Sequence, residues 1–270
     1  MKYFSVLMTM LSVLTFSAAN ASQSDANNNK SCELIRASGN AEYPPYLWRS
    51  ENSAQLSGAI SFLLEELAAE IDTKIELIYS GPWGRVQEDV ASGRIDMIAG
   101  AFFTLPRTHY MDYLHPPMLS TKTAVWTNNK NTFQYTQWED LKAYRGVTVI
   151  NNSFGQEFDE YAKKELTIEE VASLEQGLRM LSAKRVDYLI YEENPGKAYA
   201  KKLNINNLQA LPLEITRQKL YLTMSKQSSC NSPALRSAIT KALEKFAKQQ
   251  RTDIFLKRAH ELWESKNKSQ

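Results

Sequence analysis

Arg107, Thr104 and Glu192 are the side chains of this sequence whose type and placement suit them best to hold a small charged molecule. Arg107 and Thr104 follow the short apolar run 95–99. Glu192 follows the run 186–191 and opens the sequence Glu192-Glu193-Asn194-Pro195. In an open α/β sheet, ligands bind outside the carboxyl ends of strands, so all three residues stand where a ligand is met. A guanidinium there can hold a carboxylate through two parallel hydrogen bonds. The alternative for Arg107 is a structural ion pair with Asp112, and the alternative for Glu192 is simple solvation in a loop. A third apolar run, 147–150, ends in Asn151-Asn152-Ser153-Phe154-Gly155. Ser153 could meet an anion at the start of the helix that follows, or only cap that helix. Aromatic side chains supply a stacking surface. Tyr43-Pro44-Pro45-Tyr46 fixes two rings beside an extended turn, with Trp48 just beyond, and core filling is the competing role for Tyr46 and Trp48.

The elements that must position these residues alternate between strand and helix patterns. Residues 34–37 form a short strand pattern. Ile60, Leu63, Leu64, Leu67, Ala68 and Ile71 make one apolar helical stripe, with Glu65, Glu66 and Glu70 opposite. Ile75, Leu77 and Tyr79 alternate as a strand, Val86 and Val90 share a helical face, and Gly93 is placed to close that helix. Residues 123–127 and 211–224 are extended crossing segments, with Trp138 to Leu141 as a short connector. Phe158 and Tyr161 lie on a helix after the third run. Ser173 and Gln176 open another helix, carrying Leu174, Leu178 and Leu181. Ser232-Pro233 starts a helix with Leu235, Ile239, Ala242, Leu243 and Phe246 inward, and a last helix runs from about Thr252 with Phe255, Ala259 and Leu262 or Trp263 inward. Alternation of this kind predicts a parallel sheet covered by helices.

The stretch 83–118 carries Gly93, Asp96, Thr104, Arg107 and Pro116-Pro117 in order. It resembles the signature of the family 3 periplasmic solute-binding proteins, in which a Gly-x-x-Asp strand is followed by Thr-x-x-Arg and an aromatic-Pro segment. The similarity runs from Leu34 to about Trp263. It implies a two-lobed type II periplasmic-binding-protein fold of the α/β class, with the ligand cleft between lobes. Lobe 1 would comprise 32–122 plus 217–270, and lobe 2 would comprise 123–216 with the crossing segments. The resemblance further implies that Tyr43 stacks on the ligand, Arg107 takes a carboxylate, and Glu192, at the family's spacing after Asp187, takes an ammonium. Tyr46, Trp83, Phe102, Thr104, Ser153 and Phe154 complete the expected lining. The chain departs from the family at Phe102, where Ser or Thr is common, and at Ser153-Phe154-Gly155, where a Gly-Thr type turn is usual. Its spacing from Asp96 to Arg107 is also slightly shorter. These departures keep the grip on an anion but remove hydroxyls that would fix an α-amino acid, which favours a more apolar or aromatic ligand.

The implied function is binding, without catalysis, of a small carboxylate-bearing solute, an amino acid or related compound, for delivery to the membrane permease of an ABC transporter. Two alternatives are a sensor subunit for a membrane receptor and a cyclohexadienyl-dehydratase-like enzyme with Glu192 as general acid. The chain contains no G-x-S-x-G elbow, P-loop or H-E-x-x-H motif.

Composition narrows the remaining classes. With 32 Lys and Arg against 30 Asp and Glu, the net charge of +2 gives no electrostatic footprint for nucleic acid. Lys2, an apolar run and Ala19-Asn20-Ala21 form a secretory signal peptide over 1–21, followed by a polar, disordered leader at 22–31. A periplasmic monomer is expected. In that oxidising compartment the two cysteines, Cys32 and Cys230, are expected to bond. His109, His115 and His260 are too scattered for a metal centre, and neither metal nor cofactor is expected.

Overall fold

A computed structural model describes residues 32–50 and 53–267, so the expected signal peptide and leader lie outside the described residues. The described residues begin with β1 (Leu34–Ser38) and a small antiparallel sheet of β2 (Glu42–Tyr43), β3 (Leu47–Arg49) and β4 (Leu56–Ser57). Then come α1 (Ala59–Glu70), β5 (Lys74–Leu77), α2 (Trp83–Ala91), β6 (Met97–Phe102), a 3-10 turn (Pro106–His109), β7 (Met111–Tyr113) and the long β8 (Leu119–Asn128). A second set follows a 3-10 turn at Trp138–Ala143. It contains β9 (Arg145–Val149), α3 (Gln156–Glu165), β10 (Thr167–Val171), α4 (Leu174–Ser182), β11 (Tyr188–Glu192) and α5 (Glu193–Lys202). The chain returns through β12 (Leu208–Ser225) and ends in α6 (Pro233–Lys248) and α7 (Arg251–Asn267).

Local sequence accounts for most of these boundaries. The α1 stripe Ile60, Leu63, Leu64 and Leu67 is buried throughout. Gly93, at φ 75, takes the left-handed conformation that ends α2, which a residue with a Cβ adopts only at a cost. The Ser173 hydroxyl accepts from Gln176 N at 3.1 Å, and the Ser232 hydroxyl accepts from Leu235 N at 3.1 Å, so each caps the helix it precedes.

Nine strands pair in the order β10-β9-β11-β8-β12-β6-β1-β5, with β7 added to β12. The expected parallel pairing holds in the two wings, where β5 and β6 flank β1 and β10 and β11 flank β9. The centre differs. There β8 and β12 run antiparallel to each other from Leu208↔Asn128 to Leu220↔Leu119, and each is antiparallel to its neighbour in the adjoining wing. The sheet is therefore mixed, because the two crossing segments travel in opposite directions between the wings.

The short strands β3, β4 and β7 were not foreseen, and neither were α5 and β10. The sequence around Glu192-Glu193-Asn194-Pro195 reads as a loop, whereas α5 begins at Glu193; Pro195 sits in its first turn, where a missing N–H leaves no helix bond unmade. Strand β10, carrying Thr167, Glu169 and Glu170 exposed at the sheet edge, has too little apolar pattern to be recognised.

The largest apolar cluster is continuous across both wings and joins Ile35, Leu63 and Leu222 to Val147, Leu178 and Leu189. Two smaller clusters belong to one wing each, around Phe154, Phe158 and Tyr188 and around Val86, Ile98 and Met111. Cys32, just before β1, is bonded to Cys230, just before α6, which ties the first strand to the C-terminal helices.

Candidate functional site

The carboxyl ends of β6, β9 and β11 converge where the wings face each other. They enclose a cavity of ≈ 20 Å³ lined by Tyr43, Trp83, Phe102, Arg107, Asn152 and Glu192. Tyr43 ends β2, Trp83 opens α2, Phe102 ends β6, and Arg107 lies in the 3-10 turn beyond it. Asn152 follows β9 and Glu192 closes β11. Five residues singled out in the sequence thus meet at one point: Tyr43, Trp83, Phe102, Arg107 and Glu192.

Arg107 is only 5% exposed. Its Nε donates to Gln87 Oε1 at 3.2 Å, Nη1 to the Phe102 carbonyl at 3.1 Å and Nη2 to the Asn151 carbonyl at 3.1 Å. Its guanidinium carbon also stands 5.4 Å from the centre of the Trp83 ring, within cation–π range. The Asn151 carbonyl accepts two further bonds, from Trp83 Nε1 at 3.2 Å and Gln87 Nε2 at 3.1 Å. Three donors of the first wing therefore converge on one main-chain oxygen of the second. Asp112 is not the partner of Arg107; it faces Arg236 at 3.6 Å and accepts from Asn231 at 2.9 Å.

Glu192 is 1% exposed, and its Oε2 has no hydrogen-bond partner. Burial pushes its carboxyl up to about 8, against the pull of its own main-chain N–H and of Arg107. A carboxylate deprived of water and of a directly bonded cation is costly, so burial favours the neutral acid. The Tyr43 hydroxyl is also buried and is pushed up by burial first and by Glu192 second. It lies beside Thr121 without forming a hydrogen bond of good geometry, and Asn152 Nδ2 is likewise without a partner.

Further contacts join the wings around this cavity. Asn40 Nδ2 donates to the Tyr191 hydroxyl and Asn194 Nδ2 to the Tyr46 hydroxyl, both at 2.9 Å. The Glu42 carboxylate accepts from Leu174 N at 2.6 Å, at the positive end of α4. Two larger clefts of ≈ 540 and ≈ 530 Å³ flank the cavity; the first shares Asn40 and Trp83 with it, and the second shares Arg107 and Asn152.

The other expected lining residues stand elsewhere. Tyr46 packs on Tyr43, with ring centres 5.1 Å apart, and faces Asn194. Thr104 and Ser153 border the ≈ 530 Å³ cleft. The Thr104 hydroxyl accepts from Arg107 N at 3.4 Å, and the Ser153 hydroxyl donates to Asp159. Asp159 also accepts from Phe154 N at 2.8 Å and is itself raised by burial. Phe154 packs into the second-wing core, 6.1 Å from the Phe158 ring. Sequence reasoning missed Asn40, Asn152 and Gly100 in the cavity wall. Asn152 adjoins Ser153 in the same strand-end turn, and nothing in a linear sequence says which of two consecutive polar residues turns inward. Among the described residues, no group of three or more His, Cys, Asp or Glu side chains is placed to hold a metal ion.

Solved structures similar to this one include an amino acid ABC transporter substrate-binding protein from Streptococcus pneumoniae bound to L-arginine. It is 18% identical, with a TM-score of 0.71, over 86% of this chain and 96% of that one. A mutant of ArgBP from T. maritima is 14% identical, with a TM-score of 0.72, over 86% of this chain and 97% of that one. A histidine kinase sensor domain with similarity to periplasmic binding proteins is 20% identical, with a TM-score of 0.71, over 83% and 95%. No curated protein matches the chain by sequence. Residues 35–259 match the bacterial extracellular solute-binding proteins, family 3. With that match spanning most of its length, the chain belongs to this family and has the two-lobed α/β fold of type II periplasmic binding proteins.

Proposed function

We propose that the chain captures a small carboxylate-bearing solute, an amino acid or a related compound, between its lobes and delivers it to the permease of an ABC transporter. The observation that carries this reading is the meeting of Arg107, Glu192 and Tyr43 at one cavity between strand ends of both wings. Arg107 is the carboxylate partner, exchanging the Asn151 carbonyl for the solute as the cleft opens and recloses. The moving bodies are 32–122 plus 217–270 and 123–216. Their hinge is the β8–β12 pair, whose register shifts between Ala210 and Glu214 and again between Glu214 and Thr216. The amino-acid-binding transporter proteins among the structural neighbours support this reading.

A second reading, a sensor subunit that presents its closed form to a membrane receptor, is supported by the neighbour that is a histidine kinase sensor domain. Thermal-shift and calorimetric screening of the exported protein against amino acids, dipeptides and organic acids tests the binding function. Product analysis of each hit separates binding from turnover. If no solute shifts the melting temperature or gives a heat of binding, the proposal fails. Cross-linking in membranes then separates a permease partner from a receptor.

A further inference from the structure

Glu192 is a buried acid with no cation bonded to it. The charged and titratable groups facing it are Arg107 from the 3-10 turn, Tyr43 from β2 and Tyr191 on its own strand. The Arg107 fork is taken up by Gln87, Phe102 and Asn151, so it offers Glu192 attraction at a distance and no hydrogen bond. Around the cavity, Glu192 Oε2, Asn152 Nδ2 and the Tyr43 hydroxyl all lack partners. As a neutral acid, Glu192 presents an O–H; Asn152 presents N–H, and Tyr43 can present O–H. The cavity is thus rich in donors, and with Arg107 it carries one positive charge and no negative charge. Leaving such buried groups unpaired is unfavourable, and oxygen acceptors satisfy all three.

From this arrangement we infer that the solute's head group is a carboxylate without an α-ammonium, of the α-hydroxy or α-keto acid class. The inference rests on the solute-binding reading above and names its substrate class. An ammonium in this place gains most from a charged acceptor, and Glu192 becomes one only by giving up its proton inside a dry site. A hydroxyl or keto oxygen meets the O–H of Glu192 and the N–H of Asn152 as they stand. Phe102 and Gly100 line the same wall without a side-chain hydroxyl, so neither adds a side-chain acceptor for an ammonium. The ≈ 540 Å³ cleft, which shares Asn40 and Trp83 with the cavity, is the space assigned to the body of the solute.

The test uses the exported chain and matched sets of probes: alanine, lactate and pyruvate; phenylalanine, phenyllactate and phenylpyruvate; glutamate, α-hydroxyglutarate and α-ketoglutarate. Calorimetry is expected to show the hydroxy or keto member of at least one set binding about tenfold or more tightly than its amino counterpart, the scale set by one good charge-linked hydrogen bond. Because the complex needs a proton on Glu192, that affinity falls as pH rises, by up to about tenfold per unit, and Glu192→Gln flattens the dependence. Binding of amino members alone, or a hydroxy-acid affinity with the same pH profile in wild type and Glu192→Gln, overturns the head-group assignment and leaves the solute-binding function standing. Absence of binding by every probe, and by every solute of the broad screen, overturns both.

Discussion

Arg107 reaches from the turn after β6 to the main-chain carbonyl of Asn151 in the turn after β9, 3.1 Å away, and so fastens one wing to the other. The same guanidinium is the cavity's positive charge, so in the proposed function solute capture and the contact between wings fall on one side chain.

Arg107→Lys keeps the charge but cannot span Gln87, Phe102 and Asn151 at once. With a solute identified by screening, the variant is expected to bind more weakly by about 2–5 kcal/mol, the usual cost of truncating a buried charged partner. Calorimetry gives the affinity and circular dichroism shows whether the fold is kept. Unchanged affinity in a folded variant would remove Arg107 from the solute contact.

Glu192 ties stability to pH in a direction opposite to that of an ion-paired carboxylate. Its carboxyl sits at about 8 in the folded chain against an ordinary value of 4.5. The folded state therefore retains a proton that the unfolded state sheds between those values. The associated stability is complete below about 4.5 and is lost as pH rises through 8. Urea unfolding at a series of pH values should show wild type losing several kcal/mol relative to Glu192→Gln across this window. Parallel curves for the two proteins would mean that Glu192 is not buried as a neutral acid.

The Cys32–Cys230 bond closes most of the described chain into one loop. Thiol titration of the denatured, unreduced protein is expected to find no free thiol. Replacing both cysteines with serine should lower stability by about 2–4 kcal/mol, measured by denaturant unfolding; two titratable thiols in the exported protein would contradict the bond.

Gly196, in α5, lies against Trp126 so closely that an added Cβ would stand 2.3 Å from the indole. Trp126 is buried and donates to the Tyr191 carbonyl at 3.2 Å, so it cannot step aside freely. Gly196→Ala is expected to cost about 1–3 kcal/mol through overpacking. Because Tyr191 precedes Glu192, the variant should also weaken solute binding. A melting temperature equal to wild type would show that the helix moves away without penalty.

Much of the scaffold was legible because burial imposes a period. The α1 stripe, the capped starts of α4 and α6 and the Gly93 stop each express a local rule, and each element forms there. Pairing β8 with β12 was not legible, since strand neighbours in the centre depend on chain direction and not on composition. At the site, residue type and strand-end position pointed to Arg107 and Glu192, and the family resemblance added Tyr43, Trp83 and Phe102 to the cavity lining. The Asn151 carbonyl was invisible, because every residue carries one and only the fold decides which receives three donors. Phe154 failed for another reason. A ring beside a polar turn can face a cleft or a core, and here Phe158 and Tyr188 supply a core.

The pairing of β12 with β6, through Leu220↔Phe102 to Met224↔Met97, sets the order in which the molecule can be completed as the chain is made. The second wing is built from one uninterrupted stretch, so its parallel strands and helices can assemble before the C-terminal part is available. The first wing has to hold β6 without its neighbour on one side until β12 arrives, more than a hundred residues later. Contacts so distant along the chain form slowly, and an unpaired strand edge recruits other chains. A chain assembled from its N-terminus can therefore finish one half while the other still presents an open strand edge, so premature release at that point exposes β6 to pairing with other chains.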